Sequence, residues 1–261
     1  MTICVTTSFR PSSSQESQAK ELAESLGAIY KERRKESLKR LMGSGTGILV
    51  VYKDKLVFQD DKGEALTFHP DTAMLRLKAA HDPLRELVGT PQKTVLDTTM
   101  GLASDSIVIA AAGHDVTAVE SELIPYTLVS MGLKNYSSSN EDLTVAMRSI
   151  KTVHSDNLAY LKSQPDQAFD VIYCDPMFRH SIKEAHNLSG LASLANLTPM
   201  SSELLAEMKR VAREKIIIKA HFKDDVFEKY GFKRVVRPNQ KFHYGVIELF
   251  PHLSSQVQQV H

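Results

Sequence analysis

The chain has 261 residues, and its 32 Lys and Arg against 31 Asp and Glu give a formal net charge of +1. A hydrophobic content of 42% is ample for one large α/β domain, or for a small domain plus a medium one, and excludes a disordered chain. No apolar run approaches the ~18 residues of a membrane span and no signal peptide is visible, so neither export nor membrane insertion is expected. The two cysteines, Cys4 and Cys174, have neither metal spacing nor a disulfide-rich context, so a reducing cytoplasm is expected.

Residues 1–90 predict a small α+β module, to which we assign a substrate-binding role, and residues 91–261 predict a second, larger domain. A glycine-rich break at Gly43–Gly47 divides the module, and Gly89–Pro91 marks the junction between the domains. The elements expected in the module are a strand at Thr2–Phe9, a helix at Glu16–Leu26, a meander at Ile48–Tyr52, Lys55–Gln59 and Ala65–Phe68, and a helix from Thr72 to about Ala80.

Basic residues cluster in two segments of a chain that is otherwise balanced in charge. Lys31–Arg40 contains six basic and two acidic residues, and Lys209–Lys241 contains eleven basic and four acidic residues. A charged helical stretch is usually a solvated face, and that interpretation of Lys31–Arg40 stays open. The functional interpretation is an arm that contacts phosphates, because clustered Lys and Arg supply the sequence-independent part of nucleic-acid affinity.

The segment Thr94–Glu120 predicts a strand, a tight turn, a helix and a second strand. The first strand ends at Asp97, and the following turn, which contains Thr99 and Gly101, is the expected cofactor loop. Ser104 or Asp105 should cap the helix, and Gly113 should end it. The second strand ends in Glu120, 23 residues after Asp97, which is close to the spacing between a nucleotide loop and its ribose-binding acid.

This spacing indicates a ligand that contains adenosine. The charge of the turn distinguishes between a dinucleotide and S-adenosylmethionine. A dinucleotide site needs several glycines so that the backbone can approach a pyrophosphate, but this turn has only Gly101 and carries Asp97 and Asp105 beside it. Two carboxylates repel a diphosphate and suit S-adenosylmethionine, which is cationic and has no phosphate. An ordinary strand, turn and helix with solvated acids remains the alternative.

After Glu120 the pattern predicts a helix near Ile124–Leu133, a loop at Ser137–Asp142 and a third strand at Thr152–His154. Asp156 and Asn157 follow that strand, where open α/β sheets bind ligands, and could hold an adenine amino group. Asp156 could equally cap the helix that begins near Leu158.

The fourth strand, Asp170–Cys174, ends in Asp175-Pro176-Met177-Phe178. An exocyclic amine of a base is a poor nucleophile, so its lone pair must be aimed at the methyl group. A carboxylate and a proline-freed carbonyl can orient that amine while an aromatic ring stacks on the base, and no strong base is required. Asp175, Pro176 and Phe178 are therefore the candidate catalytic residues. An Asp-Pro turn after a strand is also common without any function.

In these motifs and their order the chain resembles the class I S-adenosylmethionine-dependent methyltransferases. Within them it resembles the bacterial family of small-subunit ribosomal RNA guanine-N2 methyltransferases. The resemblance runs over nearly the whole chain and implies a Rossmann-like sheet with closing antiparallel strands beside the N-terminal α+β module. It implies cofactor contacts at Ser104, Asp105, Glu120, Ser121, Asp156, Asn157 and Asp175. The matching segments are Asp97–Leu102 with Asp105, Val119–Glu120, His154–Leu158, Asp175–Phe178, Ile216–Lys219 and Lys241–His243.

Two segments depart from the family pattern, and both touch the expected target pocket. Phe68–Thr72 stands where the family tends to have a glycine-rich turn, and Arg179-His180-Ser181 stands where it has Pro-His-Lys. We assign Arg179 and His180 to substrate binding. Lys219 and His221, at the end of the fifth strand, are expected to meet phosphates around a flipped or single-stranded base, although His221 alone could be a surface histidine.

The remaining pattern completes the predicted fold and gives no sign of a metal. His180 and His186 have no cysteine pair before them to complete a zinc site, so no metal is expected. The remaining elements expected are a helix at Leu204–Ala212, a strand at Lys215–Lys219, a helix at Val226–Tyr230 and closing strands at Phe232–Arg237 and Phe242–Phe250.

The sequence therefore predicts a methyltransferase that uses S-adenosylmethionine to modify an exocyclic base amine in RNA, with guanine N2 of ribosomal RNA as the first choice. A methyltransferase for DNA adenine N6 or for a small amine shares the same logic at Asp175. A non-catalytic RNA-binding or assembly protein on the same fold is the non-enzymatic alternative. The sequence indicates no preference for an oligomeric state.

Overall fold

The computed structural model describes residues 2–42, 46–176 and 200–249. Within these ranges the N-terminal module forms a five-stranded sheet in the order β2-β1-β3-β4-β5. Strand β1 is parallel to both β2 and β3, whereas β3, β4 and β5 form the antiparallel meander that the sequence predicts. The strands are β1 (Thr2–Thr7), β2 (Ile29–Tyr30), β3 (Thr46–Val51), β4 (Leu56–Gln59) and β5 (Ala65–Thr67).

Helix α1 (Ser13–Ser25) connects β1 to β2, and its start is set by a capping box in which Ser12 and Gln15 bond each other's backbone N–H groups. The basic run Lys31–Arg40 is not a helix, because the short helix α2 begins only at Leu38 and ends at Leu41. Arg33 in this run is only 8% exposed, so the solvated-face interpretation is wrong for that residue. Its guanidinium is drawn inward by two backbone carbonyls, which a charge count cannot reveal.

The second sheet has seven strands within the described residues, in the order β11-β12-β10-β9-β6-β7-β8. Strands β6 to β10 are mutually parallel where they pair, and β12 runs antiparallel to both β10 and β11. The predicted Rossmann-like α/β fold with closing antiparallel strands is thereby confirmed. The strands are β6 (Thr94–Asp97), β7 (Asp115–Glu120), β8 (Lys151–His154), β9 (Phe169–Cys174), β10 (Ala212–His221), β11 (Lys233–Val235) and β12 (Phe242–Glu248).

Helices cover both faces of this sheet, and two of them, at Pro83–Val88 and Glu141–Ser149, were not expected from the sequence. Asn140, within the expected loop Ser137–Asp142, accepts a hydrogen bond from the backbone N of Leu143 at 3.0 Å and caps the second of these helices. The polar residues before it are therefore the cap, not the whole connection. The helices are α3 (Asp71–Leu77), α4 (Pro83–Val88), α5 (Ser104–Ala111), α6 (Leu123–Asn135), α7 (Glu141–Ser149), α8 (Asn157–Ser163), α9 (Ser202–Val211) and α10 (Val226–Tyr230).

The start of α5 also differs from the prediction that Ser104 or Asp105 caps it. The N-cap residue is Ala103, in the left-handed conformation with φ of 59°, and it makes no side-chain cap. The turn before it is tight, because the N–H of Ala103 donates to the carbonyl of Met100 at 2.7 Å. Ser104 and Asp105 consequently lie in the first helical turn, and their side chains are free to act elsewhere.

Helix α6 is shared by the two sheets and joins them. Ile124 and Leu128 pack into the core of the N-terminal module, whereas Val129 and Leu133 pack into the core of the large sheet. Gly132 permits a close approach, since a Cβ there would lie 2.2 Å from the ring of Phe68. Helices α3 and α4 also pack on the large sheet, although they precede residue 91 in the chain.

Candidate active site

The carboxyl ends of the parallel strands meet at one edge of the large sheet, where open α/β sheets bind ligands. Asp97 ends β6, Glu120 ends β7, and Asp175 directly follows β9. Lys219 comes from the neighbouring strand β10. The fold therefore brings together side chains that are up to 122 positions apart in the sequence.

Asp97 holds the cofactor loop from inside the protein. One carboxylate oxygen accepts a hydrogen bond from the backbone N of Thr99 at 3.0 Å, and the other accepts one from the hydroxyl of Ser106 at 2.5 Å. Among the described residues no cation pairs with this side chain, and its burial raises the pKa of Asp97 to about 7. This carboxylate shapes the turn and has little surface left for a ligand, because the residue is 1% exposed.

Glu120 lies more openly at the same edge and is half-buried. Its two carboxylate oxygens accept hydrogen bonds from the backbone N of Gly101 at 3.0 Å and of Glu122 at 2.9 Å. Burial raises the pKa of Glu120 even though these N–H groups favour its charged form. Gly101 has φ of 50°, a conformation that glycine adopts without strain. Glu120 thus ties the cofactor loop to the end of β7.

Of the two interpretations of Asp156, adenine contact and helix cap, the structure confirms the helix cap. Asp156 caps α8, because its carboxylate accepts a hydrogen bond from the backbone N of Ala159 at 2.9 Å. Asp156 is nevertheless exposed at the ligand edge, and Asn157 is half-buried beside it. Ser121 is half-buried near the same edge, with its carbonyl 3.0 Å from Nε2 of His154. Their contacts with a cofactor stay predictions.

Asp105 lies at the ligand edge, but other side chains already occupy its carboxylate. One oxygen pairs with the guanidinium of Arg76, and the other accepts hydrogen bonds from Lys219 at 3.0 Å and from the hydroxyl of Tyr173 at 2.8 Å. Burial opposes the charged form, yet the two cations outweigh it and hold the pKa of Asp105 well below its usual range. Asp105 is therefore a fixed negative charge below the cofactor loop.

Asp175 bonds both the cofactor loop and strand β10. Its backbone N donates to the hydroxyl of Thr99 at 2.7 Å, and its Oδ2 accepts from the ammonium of Lys219 at 2.6 Å. Burial raises the pKa of Asp175, and the positive charge of Lys219 opposes that rise. The side chain is 29% exposed, and Pro176 after it is buried. Phe178, Arg179 and His180 lie outside the described residues.

Lys219 and His221 face the interior, whereas the sequence analysis expected them to meet phosphates. The ammonium of Lys219 lies between Asp105 and Asp175, and these two charges raise its pKa despite burial. His221 is 4% exposed and accepts a hydrogen bond from the backbone N of Lys223 at 3.3 Å. The exposed groups beside them are Phe222, 41% exposed, and Lys223, whose Nζ lies 5.5 Å from the Phe222 ring.

Two residues of the site were missed by sequence reasoning. Arg76, on α3, pairs with both carboxylate oxygens of Asp82 at 2.8 and 3.1 Å and also with Asp105. It belongs to no motif and precedes Asp105 by 29 residues, so no sequence signal joins the two. Tyr173 had a weak signal, because it is the one hydroxyl-bearing residue in the buried strand that leads to Asp175.

The parts of the chain that the structure describes contain no group of three or more His, Cys, Asp or Glu side chains placed to hold a metal ion. The histidines considered for zinc, His180 and His186, lie outside those parts. Cys4 and Cys174 are buried free thiols in different sheets. Among the described helices, none is both long and apolar enough to cross a membrane.

Comparison with known proteins places this site in a family. The family model for S-adenosylmethionine-dependent methyltransferases matches residues 60–234. The uncharacterized protein YpiP of Bacillus subtilis (strain 168) is 34% identical over 256 residues, which cover 95% of this chain and 100% of that protein. Ribosomal RNA small subunit methyltransferase J of Desulfotalea psychrophila is 26% identical over 215 residues, which cover 77% of this chain and 80% of that protein.

A solved structure is similar in fold. The crystal structure of an S-adenosylmethionine-dependent methyltransferase from Neisseria gonorrhoeae aligns with a TM-score of 0.61 and 17% identity. The alignment covers 99% of this chain and 100% of that one. The similarity therefore includes the N-terminal module as well as the large sheet.

Proposed function

The chain belongs to the S-adenosylmethionine-dependent methyltransferase family, and we propose that it methylates an exocyclic base amine in RNA, with guanine N2 of small-subunit ribosomal RNA as the target. The cofactor is S-adenosylmethionine, which supplies a methyl group activated on a sulfonium when it is bound. One observation carries the proposal. Asp175 lies at the ligand edge with one oxygen held by Lys219, and its other oxygen has no hydrogen-bond partner among the described residues.

The residues at the ligand edge suit this cofactor chemically. The loop has a single glycine at its turn and is lined by carboxylates, which disfavour a diphosphate and favour hydroxyl and cationic groups. We assign Glu120 to the ribose hydroxyls, and Asp156 with Asn157 to the adenine amino group. Ser104, Ser121 and the backbone around Gly101 complete this assignment. Asp97 and Asp105 hold the loop from below, which modifies their predicted role as direct contacts.

Asp175 orients the target amine in this proposal. Its second carboxylate oxygen accepts a hydrogen bond from the amine, and the carbonyl of the adjacent Pro176 accepts another one. Lys219 fixes the rotamer and the charge of Asp175, so it acts as a positioning residue. Preorganised acceptors of this kind typically contribute about 10²- to 10³-fold in rate.

RNA as the substrate is supported by an exposed surface beside the site. Phe222 and Lys223 leave the carboxyl end of β10 only a few residues after Lys219, and they offer a ring for base stacking next to a cation. The Desulfotalea psychrophila relative is named as a ribosomal RNA methyltransferase, which agrees with this chemistry. A DNA adenine or a small amine would also fit a carboxylate followed by a proline.

The test compares modified nucleosides in ribosomal RNA from cells with and without the protein. The expected result is the loss of one N2-methylguanosine, which the wild-type gene restores and the Asp175→Asn gene does not. An unchanged nucleoside profile would contradict the proposed target. Loss of N6-methyladenine from DNA would instead support the DNA alternative, and restoration by Asp175→Asn would support a non-catalytic role.

A further inference from the structure

A second cleft lies in the N-terminal module at the carboxyl end of β1. It encloses about 680 Å³, and we refer to it as the module cleft. Strand β1 lies between the parallel strands β2 and β3, so the cleft opens where parallel strands end and ligands commonly bind. The residues that line it are Thr7–Pro11, Glu16 and Glu32–Lys35.

The wall of the module cleft carries a buried cation stacked on an exposed aromatic ring. The guanidinium of Arg33 lies 3.9 Å from the ring centroid of Phe9 and donates hydrogen bonds to the carbonyls of Thr7 and Glu36, both at 3.3 Å. Phe9 is 55% exposed, although a phenylalanine gains from burial. An aromatic ring that contacts a guanidinium and is more than half exposed is a platform on which a base can stack.

Thr7 provides an independent sign of a missing ligand. The residue is 1% exposed, and its hydroxyl has no hydrogen-bond partner in the parts of the chain that the structure describes. A buried hydroxyl without a partner costs about 1–3 kcal/mol, so such groups are rare unless something else satisfies them. Thr7 lines the module cleft, so a rotation of its side chain can bring this hydroxyl to a polar group that enters the cleft.

The charge of the module cleft favours an anion. Arg10, Arg34 and Lys35 line it together with Arg33, against the carboxylates of Glu16 and Glu32. Glu32 already pairs with Arg34 at 2.9 Å, and both side chains are well exposed. The remaining excess is positive and lies around the aromatic platform. A phosphate beside a base matches this arrangement better than an acidic side chain, which has no ring to stack.

The module cleft lies away from the cofactor edge. Helix α6 begins just after Glu120, at the cofactor edge. Gly132 and Tyr136, at the other end of this helix, line a different cavity together with Val51 and Tyr52 at the end of β3. Strand β1 is parallel to β3, so Thr7 lies at the same end of the module as Val51. A helix of 13 residues spans about 20 Å.

We propose that the module cleft docks a single-stranded nucleotide of the RNA substrate at a distance from the methylated base. The base stacks on Phe9, the phosphate lies near Arg10, Arg34 and Lys35, and the hydroxyl of Thr7 bonds the bound nucleotide. This inference rests on RNA being the substrate and adds a second contact region to it. The module then binds a separate part of the RNA, while the methyl-transfer site lies on the large sheet.

The experiment measures binding of a short fluorescein-labelled single-stranded RNA over a range of salt concentrations. Phe9→Ala should weaken binding by about 5- to 100-fold if a base stacks there. Lys35→Glu should weaken it and lower the salt slope by about one unit or more. Thr7→Val should weaken it without lowering stability against urea, since the hydroxyl makes no hydrogen bond to any residue in the described ranges. The matched control is Lys62→Glu, an exposed residue of the same module outside the cleft.

Equal losses from Lys35→Glu and Lys62→Glu would overturn the proposal, because they would show only a general effect of charge. Full RNA affinity in Phe9→Ala and Thr7→Val would overturn it as well. Competition by guanosine 5′-monophosphate as strong as that by RNA would show that the cleft takes free nucleotides. A dependence of RNA binding on the cleft, together with unchanged ribosomal RNA methylation in cells without the protein, would contradict the proposed function and would still support RNA docking in the module cleft.

Discussion

The two halves of the ligand edge hold their carboxylates with different kinds of partner. At β6 and β7, Asp97 and Glu120 are bound by neutral N–H and O–H groups. Near β9 and β10, Asp175 and Asp105 of α5 are bound by Lys219, and Asp105 also by Arg76. We call these the neutral half and the ionic half.

The comparison of Asp97 with Asp105 shows that two cations can outweigh burial in setting the charge of a carboxyl group. Asp97 and Asp105 are both largely withdrawn from solvent, yet burial raises the pKa of Asp97 to about 7 while two cations hold that of Asp105 well below its usual range. The neutral half can adjust to a ligand that brings hydroxyl or cationic groups. In the ionic half the ion pairs with Lys219 fix the rotamers of Asp105 and Asp175, and aiming a nucleophile requires such fixed groups.

The largest effect on stability should come from breaking the ionic half at Arg76. Arg76→Met leaves Asp82 without its bidentate partner and removes one of the two cations that pair with Asp105 in the described part of the chain. The free energy of unfolding should therefore fall by about 3–5 kcal/mol in urea denaturation. Arg40→Met is the matched control, because that side chain is 80% exposed and its pair with Glu36 should contribute about 1 kcal/mol or less. Similar losses in both variants would contradict the division into halves.

Lys219 should control the pH profile of methyl transfer. Its positive charge favours the ionised form of Asp175, so Lys219→Met should raise the pKa of that carboxyl. The acid limb of the rate profile should move to higher pH, and the rate near neutrality should fall by about 10²-fold. Lys219→Arg should restore part of the rate. A lower rate with an unshifted acid limb would mean that Lys219 supports the fold alone.

The strands and their terminal acids were predictable because local pattern determines them. A β-branched run that ends in Asp97, or in Glu120, is visible in a few consecutive residues. The partners were not predictable, because Arg76 reaches Asp105 through the packing of α3 on α5, which no local signal encodes. Lys219 was recognised as functional but assigned to phosphates, since its strand does not reveal that two acids flank its end. Arg33 was misread for the same reason, because only the tertiary fold turns it inward.

In the neutral half, Asp97 should make stability depend on pH. Its pKa of about 7 lies above the ordinary 3.8, so the folded protein keeps a proton that the unfolded chain has released between about pH 4 and 7. The free energy of unfolding should therefore fall as pH rises through this window. Asp97→Asn removes this dependence, and its stability relative to wild type should increase by roughly 2 kcal/mol between pH 5 and pH 8.

The measurement is urea denaturation at several pH values, with Asp54→Asn on an exposed turn as the control. A parallel pH dependence in wild type and Asp97→Asn would show that Asp97 is ionised in the folded protein, and the neutral half would then need a cation that the structure does not provide.

The smallest effect on stability should come from Glu120→Gln. The amide keeps one acceptor for Gly101 or Glu122 and loses the other, so the free energy of unfolding should fall by only about 1 kcal/mol. Cofactor affinity, measured by calorimetry, should fall by about 10-fold or more if the carboxylate binds ribose hydroxyls. Unchanged affinity for S-adenosylmethionine would show that the carboxylate at the end of β7 does not bind the ribose.

In the proposed mechanism Asp175 orients the nucleophile while the rest of the ligand edge holds the cofactor. The experiment that distinguishes these roles is single-turnover transfer of labelled methyl groups to ribosomal RNA by the Asp175→Asn protein at saturating S-adenosylmethionine. We expect a rate about 10²- to 10³-fold below wild type, with a smaller loss of cofactor affinity measured by calorimetry on the same protein. Near-normal transfer by Asp175→Asn would contradict it, because the amine would then be oriented by other groups.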